Sequence, residues 1–126
     1  MGIDIHVIVE APDPDTSGEW WDAIAEVYWH RSTQLFGIIA GVRGGNALFE
    51  PRGLPSPCSW RVEDWQGEDL HSFTWLTRDE LLQVRRVYRE KGPEWYDTTD
   101  KLVHPGLART IRMMGPDSRA VFGFDG

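Results

Sequence analysis

Two side chains suited to acid–base chemistry lie two residues apart near the amino terminus, in the string MGIDIH. Because side chains alternate along a β-strand, Asp4 and His6 would share one face of such a strand. A carboxylate next to an imidazole can fix its tautomer, support a metal ion or tune a general base. A solvent-exposed sheet face explains the same two residues without any chemistry.

His71 and Ser72 form a second polar group, in the string HSFTWLT just before a predicted helix. The Ser72 hydroxyl can hydrogen-bond a phosphate, and His71 can donate a hydrogen bond or carry a proton. Local capping of a loop by the hydroxyl is an equally simple explanation. If folding brought His6 and His71 together, they could cleave a phosphodiester by acid–base catalysis without a metal. A metal site from Asp4, His6, His71 and Asp125 stays open as an alternative, but no residue spacing matches a known zinc pattern, so we predict no metal site and no cofactor.

Arginines far outnumber lysines in the sequence, and two of them occur in glycine-containing strings, Arg43 in GVRGG and Arg52 in PRGLP. The planar guanidinium pairs bidentately with phosphate or carboxylate. Most of the seven tryptophans should be core residues, but Trp60 and Trp75 are flanked by turn residues or hydroxyls. An indole in such a place can stack on a nucleobase. These residues favour a small phosphorylated ligand.

Size and charge limit the class of protein. A chain of 126 residues with 40% apolar residues fits one domain, residues 1–126. The single cysteine, Cys58, cannot form an internal disulfide, which favours a reducing compartment, and no signal or membrane-spanning segment is apparent. We therefore expect a cytoplasmic protein with no membrane partner. A net charge of −7 argues against binding duplex nucleic acid.

The first half of the chain predicts a β-hairpin and one helix. Residues 3–10 alternate in polarity with Ile8 as an exception, and residues 20–29 form a second apolar strand. Residues 35–42 have helical spacing after two possible caps, Ser32 and Thr33, and we expect Gly44–Gly45 to end this helix. Residues 43–75 show no clear periodicity and predict one long ordered loop.

The second half predicts two helices and a closing strand. Thr77 and Glu80 have the spacing of a capping box, followed by a helix that ends at Gly92–Pro93. Another helix is expected from about Gly106 to Met114, and residues 119–125 should form the last strand. The predicted fold class is α+β, with a small antiparallel or mixed sheet packed against about three helices.

Several strings occur together: MGIDIH, LFGIIAGVRG, PRGLP, HSFTWLT and the ending RAVFGFD. As a set they resemble a family of small proteins from tailed bacteriophages. Phage proteins of this size and type include sponges that sequester nucleotide immune signals and relatives that cleave such signals. The resemblance implies a role for the positions that its motifs carry, which are Asp4, His6, Arg43, Arg52, His71 and Ser72.

The expected function is therefore phage counter-defence, by sequestration of an ADP-ribose derivative or a cyclic nucleotide in the infected bacterial cytoplasm. Arg43 and Arg52 would pair with phosphates, His71 and Ser72 with ribose or phosphate, and a tryptophan would stack on the base. A homodimer or higher homo-oligomer could enclose the ligand. Two alternatives stay open: a metal-independent phosphodiesterase that uses His6 and His71, and a module whose residues 51–75 dock on a host protein.

Overall fold

A computed structural model describes residues 2–91 and 104–126. It contains four strands, β1 Asp4–Pro12, β2 Trp21–Val27, β3 His71–Thr77 and β4 Arg119–Asp125. The helices are α1 Thr33–Ala40, α2 Trp60–Glu63, α3 Arg78–Glu90 and α4 Pro105–Met113, with short 3₁₀ turns at Val42–Gly44 and Asp64–Gly67. The helix end predicted at Gly92–Pro93 lies outside the described residues.

The strands form one antiparallel sheet in the order β2-β1-β4-β3. The two central strands come from opposite ends of the chain, and their register runs from Asp4 opposite Asp125 to Glu10 opposite Arg119. This confirms the predicted α+β class and decides that the sheet is antiparallel rather than mixed.

The three longer helices cover one face of the sheet. Odd-numbered positions of β1 and even-numbered positions of β4 point to this face because side chains alternate along a strand. They pack against apolar side chains of α1, α3 and α4, and the cluster includes Ile5, Val7, Val9, Phe36, Ile39, Leu81, Val84, Leu107, Ile111, Phe122 and Phe124. Among the helices within the described ranges, none is long and apolar enough to cross a membrane.

The predicted capping box at the start of α3 is confirmed. The Glu80 amide donates to Thr77 Oγ1 over 3.3 Å, and the Thr77 amide donates to Glu80 Oε1 over 2.9 Å. At α1, Ser32 provides the cap, since its Oγ accepts from the Leu35 amide. The helix ends at Gly41, which has a φ of 73°, so the stop predicted at Gly44–Gly45 is wrong by about one turn.

The prediction of a long irregular loop over residues 43–75 is wrong in its second half. The segment contains α2 and the first five residues of β3, so His71 and Ser72 belong to a strand and not to a loop. A β-bulge between His71 and Thr74 breaks the register with β4, and Ser72 has a φ of 58°. The irregularity removes the two-residue alternation that identifies a strand in a sequence.

The rest of this segment covers the second face of the sheet. Val62 and Trp65, from α2 and the turn after it, pack on Ile8 and Val121. Ile8 breaks the alternation of apolar and polar residues in β1 because the second face of the sheet is also buried at this position. A buried ion pair fastens the segment: Glu10 accepts from Arg119 Nε over 2.8 Å and from the Ser59 amide over 2.6 Å.

Candidate ligand-binding site

A cavity of about 530 Å³ lies between α1 and the glycine-rich turn that follows it. Its walls come from the start and inner side of α1, from the turn, and from the end of α3. The lining residues are Thr33, Gln34, Gly37, Ile38, Arg43, Gly44, Gly45, Asn46, Ala47, Leu48, Val87 and Lys91. This volume is within the range of cavities that hold small molecules.

Two glycines allow the turn to approach α1 closely. A Cβ on Gly45 would clash with the Cα of Gly37, and a Cβ on Gly37 would lie 3.0 Å from the Cα of Gly45. The chain then returns along the helix, where the Leu48 amide donates to the Ile38 carbonyl over 2.8 Å. Gly37, which is costly inside a helix, is thus explained by this close backbone contact.

The described wall of the cavity is cationic although the protein is acidic. Arg43 and Lys91 line it together with the polar side chains of Gln34 and Asn46, and no carboxylate occurs among its described lining residues. Arg43 is exposed, has a left-handed φ of 55°, and donates to the Gly2 carbonyl over a long 3.5 Å. A phosphate or carboxylate is the ligand group that such a wall would attract.

Arg52 does not line this cavity, and its guanidinium is already engaged. It forms a bidentate ion pair with Glu80 and donates to the Trp75 carbonyl over 3.0 Å. The guanidinium also lies 4.6 Å from the centre of the Trp75 ring. The bond from Arg52 lowers the pKa of Glu80 to about 2, and the same pair raises the pKa of Arg52. These contacts fasten the segment before α2 to the start of α3.

Asp4 and His6 lie at one end of the sheet and form separate pairs. His6 Nε2 is 2.8 Å from Asp125 Oδ2, and both side chains are about two-fifths exposed. Asp4 accepts from Arg31 over 2.6 Å and 3.1 Å, and this bond lowers the pKa of Asp4. The described residues include no group of three or more His, Cys, Asp or Glu side chains arranged to hold a metal ion.

His71 and His6 lie on the strands that flank β4. His6 is opposite Gly123 and His71 is opposite Phe124. Two strand spacings separate their backbones by roughly 10 Å. His71 Nδ1 lies 2.8 Å from the Ser72 hydroxyl at the exposed end of β3, and no contact joins the two histidines within the described part of the chain.

Trp60 lies in a different place again, on the second face of the sheet. Its side chain is 73% exposed and lines an open groove of about 310 Å³ with Trp20 and Trp21.

The predicted residues are therefore dispersed: of the eight ligand-binding candidates, Arg43 alone lines the cavity between α1 and the turn. Trp95, another tryptophan of the sequence, lies outside the described residues.

No pattern in the sequence indicates Lys91, Gln34 or Asn46 as residues of the cavity. The string GVRGG predicts a break in the chain after α1, and Arg43 in this string lines the cavity. Lys91 comes from a helix far along the chain, so only the packing of α3 against α1 could reveal it.

Comparison with known proteins gives no relative to guide the assignment: no family model, curated protein or solved structure matches the chain. The function must therefore be argued from the arrangement of the side chains.

Proposed function

We propose that the protein binds and sequesters a small phosphorylated ligand, a nucleotide signal, in the cavity between α1 and the glycine-rich turn. The observation that carries this proposal is the cationic wall of Arg43 and Lys91 in a protein whose net charge is −7. A binding site enriched in one sign of charge, against the sign of the whole molecule, favours a ligand of the opposite charge.

The cavity walls match the parts of a nucleotide. Arg43 and Lys91 would pair with phosphate, while Gln34 and Asn46 offer hydrogen bonds to ribose. Ile38, Leu48 and Val87 provide apolar contacts for a base. This arrangement replaces the expected phosphate pairing by Arg52 and the expected stacking on Trp60 or Trp75, since none of these three lines the cavity.

Sequestration needs enclosure and affinity but no machinery for a transition state. The resemblance to small tailed-phage proteins suggests the biological setting, namely removal of a nucleotide immune signal in an infected bacterium. An ADP-ribose derivative or a cyclic nucleotide has both the phosphate charge and the size that the cavity favours.

The test is isothermal titration of the purified protein with a panel that contains ADP-ribose and several cyclic nucleotides. We expect one panel member to bind, and Arg43→Ala to weaken its affinity at least about tenfold, the loss typical of a charge-assisted hydrogen bond. Arg112→Ala, at an exposed position in the last turn of α4, is the matched control and should bind like wild type. Unchanged affinity in Arg43→Ala would contradict the proposed site.

The same panel tests the expectation about Arg52. Because its guanidinium is held by Glu80 and Trp75, Arg52→Ala should lower the stability of the fold and leave affinity unchanged. Thermal unfolding and titration of the same sample distinguish the two effects. If Arg52→Ala lost as much affinity as Arg43→Ala without any loss of stability, Arg52 would have to contact the ligand.

A phosphodiesterase is the second candidate, and the His6–Asp125 pair is the observation that favours it. A carboxylate 2.8 Å from an imidazole nitrogen can orient the ring as a general base. Chromatography of the nucleotide after incubation and heat denaturation separates the candidates. Intact nucleotide supports sequestration, whereas a new product that disappears in His6→Ala supports cleavage.

A further inference from the structure

The groove between β2 and α2 differs from the cavity beside α1 in its lining and its charge, since it is aromatic and surrounded by carboxylates. Trp20, Trp21 and Trp60 line it together with Asp22 and Arg61. Trp20 is 51% exposed and Trp60 is 73% exposed, which is a large area of indole for solvent to contact. Within the described part of the chain, neither of these two rings makes a hydrogen bond or a ring contact.

Carboxylates dominate the charge around the groove. Arg61 is the one cation among the described residues that line the groove, and it is paired with Glu26 and lies 3.9 Å from Asp64. The hydrogen bond with Glu26 raises the pKa of the Arg61 guanidinium, and the negative charges of Asp64 and Glu68 raise it further. The groove therefore presents indole rings in a net negative surrounding.

The fold itself stacks guanidinium groups on indole rings. Arg119 lies 3.5 Å from the centre of the Trp21 ring, and Arg52 lies 4.6 Å from the centre of the Trp75 ring. A planar guanidinium over a tryptophan face combines stacking with attraction to the ring quadrupole. The exposed rings of Trp20 and Trp60 offer the same kind of surface, and no guanidinium of the described residues lies over them.

The position of the groove favours a segment of a polypeptide over a free small molecule. β2 is an edge strand of the sheet, so alternate backbone groups point away from the protein. At the opposite edge, by contrast, the Arg52 and Gly53 amides donate to β3 at Thr74 and Phe73. An extended segment could run beside β2 and place one long side chain in the groove.

We propose that this groove binds an arginine side chain presented by an extended segment of a partner protein. The site is separate from the nucleotide cavity, which is built on the helix-covered face of the sheet. Trp20 and Trp60 would flank the guanidinium, and the carboxylates around Arg61 would attract it.

The test uses two capped tripeptides, Gly-Arg-Gly and Gly-citrulline-Gly, which have nearly the same shape and differ in charge. Binding is followed through the indole N–H resonances of the ¹⁵N-labelled protein. The arginine peptide should shift the resonances of Trp20 and Trp60, and this effect should weaken as salt is added. The citrulline peptide should bind on the order of fivefold to thirtyfold more weakly.

Variants locate the site. Trp60→Ala should reduce affinity for the arginine peptide on the order of fivefold or more. The control is Tyr28→Ala, which removes an aromatic side chain that is 72% exposed but lies outside the groove. This variant should bind the peptide like wild type. The buried indole of Trp29, which donates to Thr110 over 2.9 Å, reports whether each variant is folded.

Four results would overturn the proposal: no shift with either peptide, equal binding of arginine and citrulline, wild-type affinity in both Trp60→Ala and Trp20→Ala, or AMP shifting these indoles in place of the arginine peptide. Arg43→Ala should bind the arginine peptide normally. Failure of this site and failure of the nucleotide cavity are therefore distinguishable.

Discussion

Arg43 combines an unusual backbone conformation with the charge that the proposed function needs. Its φ of 55° lies in the left-handed region, which costs an L-residue about 1–2 kcal/mol relative to glycine. Neighbouring turn positions Gly41 and Gly44 use glycine for the same conformation. A strained arginine where glycine would fit is the pattern expected of a residue kept for a ligand.

Arg43→Gly should therefore separate stability from binding. We expect the free energy of unfolding to stay equal or rise by up to about 1 kcal/mol, because glycine removes the strain but adds flexibility to the unfolded chain. Nucleotide affinity should fall as in Arg43→Ala. Urea unfolding and titration measure the two quantities, and a marked loss of stability would show that the side chain is structural instead.

Glu80 gives a prediction about pH. The hydrogen bond from Arg52 holds the pKa of Glu80 at about 2 in the folded protein, below the ordinary value of 4.5. The pairing of Glu80 therefore stabilises the fold fully at pH values above 4.5. This contribution is lost as pH falls from about 5 towards 2. The stability difference between wild type and Glu80→Gln should therefore be largest above pH 5 and shrink towards pH 2.

Urea unfolding at several pH values measures this difference. Glu90→Gln, at the exposed end of the same helix, is the control and should show little difference from wild type at any pH. A gap between wild type and Glu80→Gln that stays constant from pH 7 to pH 3 would contradict the ionic role of Glu80.

At the scale of elements, the sequence predicts helices and strands that depend on neighbouring residues, but it does not predict pairings between residues that are far apart in the chain. The capping box of α3 and the alternation of β4 depend on residues within a few positions of each other, so both elements could be predicted. Strand β3 was missed because its bulge at Ser72 breaks the alternation and because its pairing partner is far along the chain. No local pattern encodes a pairing of that kind.

The contact between α1 and the glycine-rich turn is the element on which the cavity depends. In Gly45→Ala the new methyl group would clash with Gly37, so the turn must move away from the helix. We expect destabilisation of about 1–3 kcal/mol, typical of overpacking, and loss of nucleotide affinity although no charge is removed. Gly67→Ala, where a methyl group meets nothing within 4 Å, should change neither quantity in thermal unfolding or titration.

At the scale of the whole molecule, a buried ion pair joins both ends of the chain to the segment over the second face. Glu10 is fully buried and Arg119 nearly so. In Glu10→Ala the guanidinium of Arg119 loses its carboxylate partner inside the protein, which should cost about 3–5 kcal/mol. The solvent-exposed pair between Arg61 and Glu26 should contribute little to stability because water screens it, so Glu26→Ala is the control in chemical unfolding. Equal effects of the two substitutions would contradict this account.

The charge distribution is also a property of the whole molecule. The sequence gives a net charge of −7, but only the fold shows that carboxylates are absent from the described walls of the α1 cavity and frequent around the tryptophan groove. The sequence could indicate Arg43 because its string stands out locally. It could not bring Lys91 to the same wall, nor show that Arg52 is engaged by Glu80.

The proposed ligand, a nucleotide that stays intact, would lie beside Gly44, Gly45 and Asn46. The most direct measurement is a titration of the ¹⁵N-labelled protein with the nucleotide panel, followed by chromatography of the nucleotide released by heat. We predict saturable shifts of these three backbone amides and recovery of intact nucleotide. Shifts confined to His6 and its neighbours, or the absence of any shift across the panel, would contradict the claim.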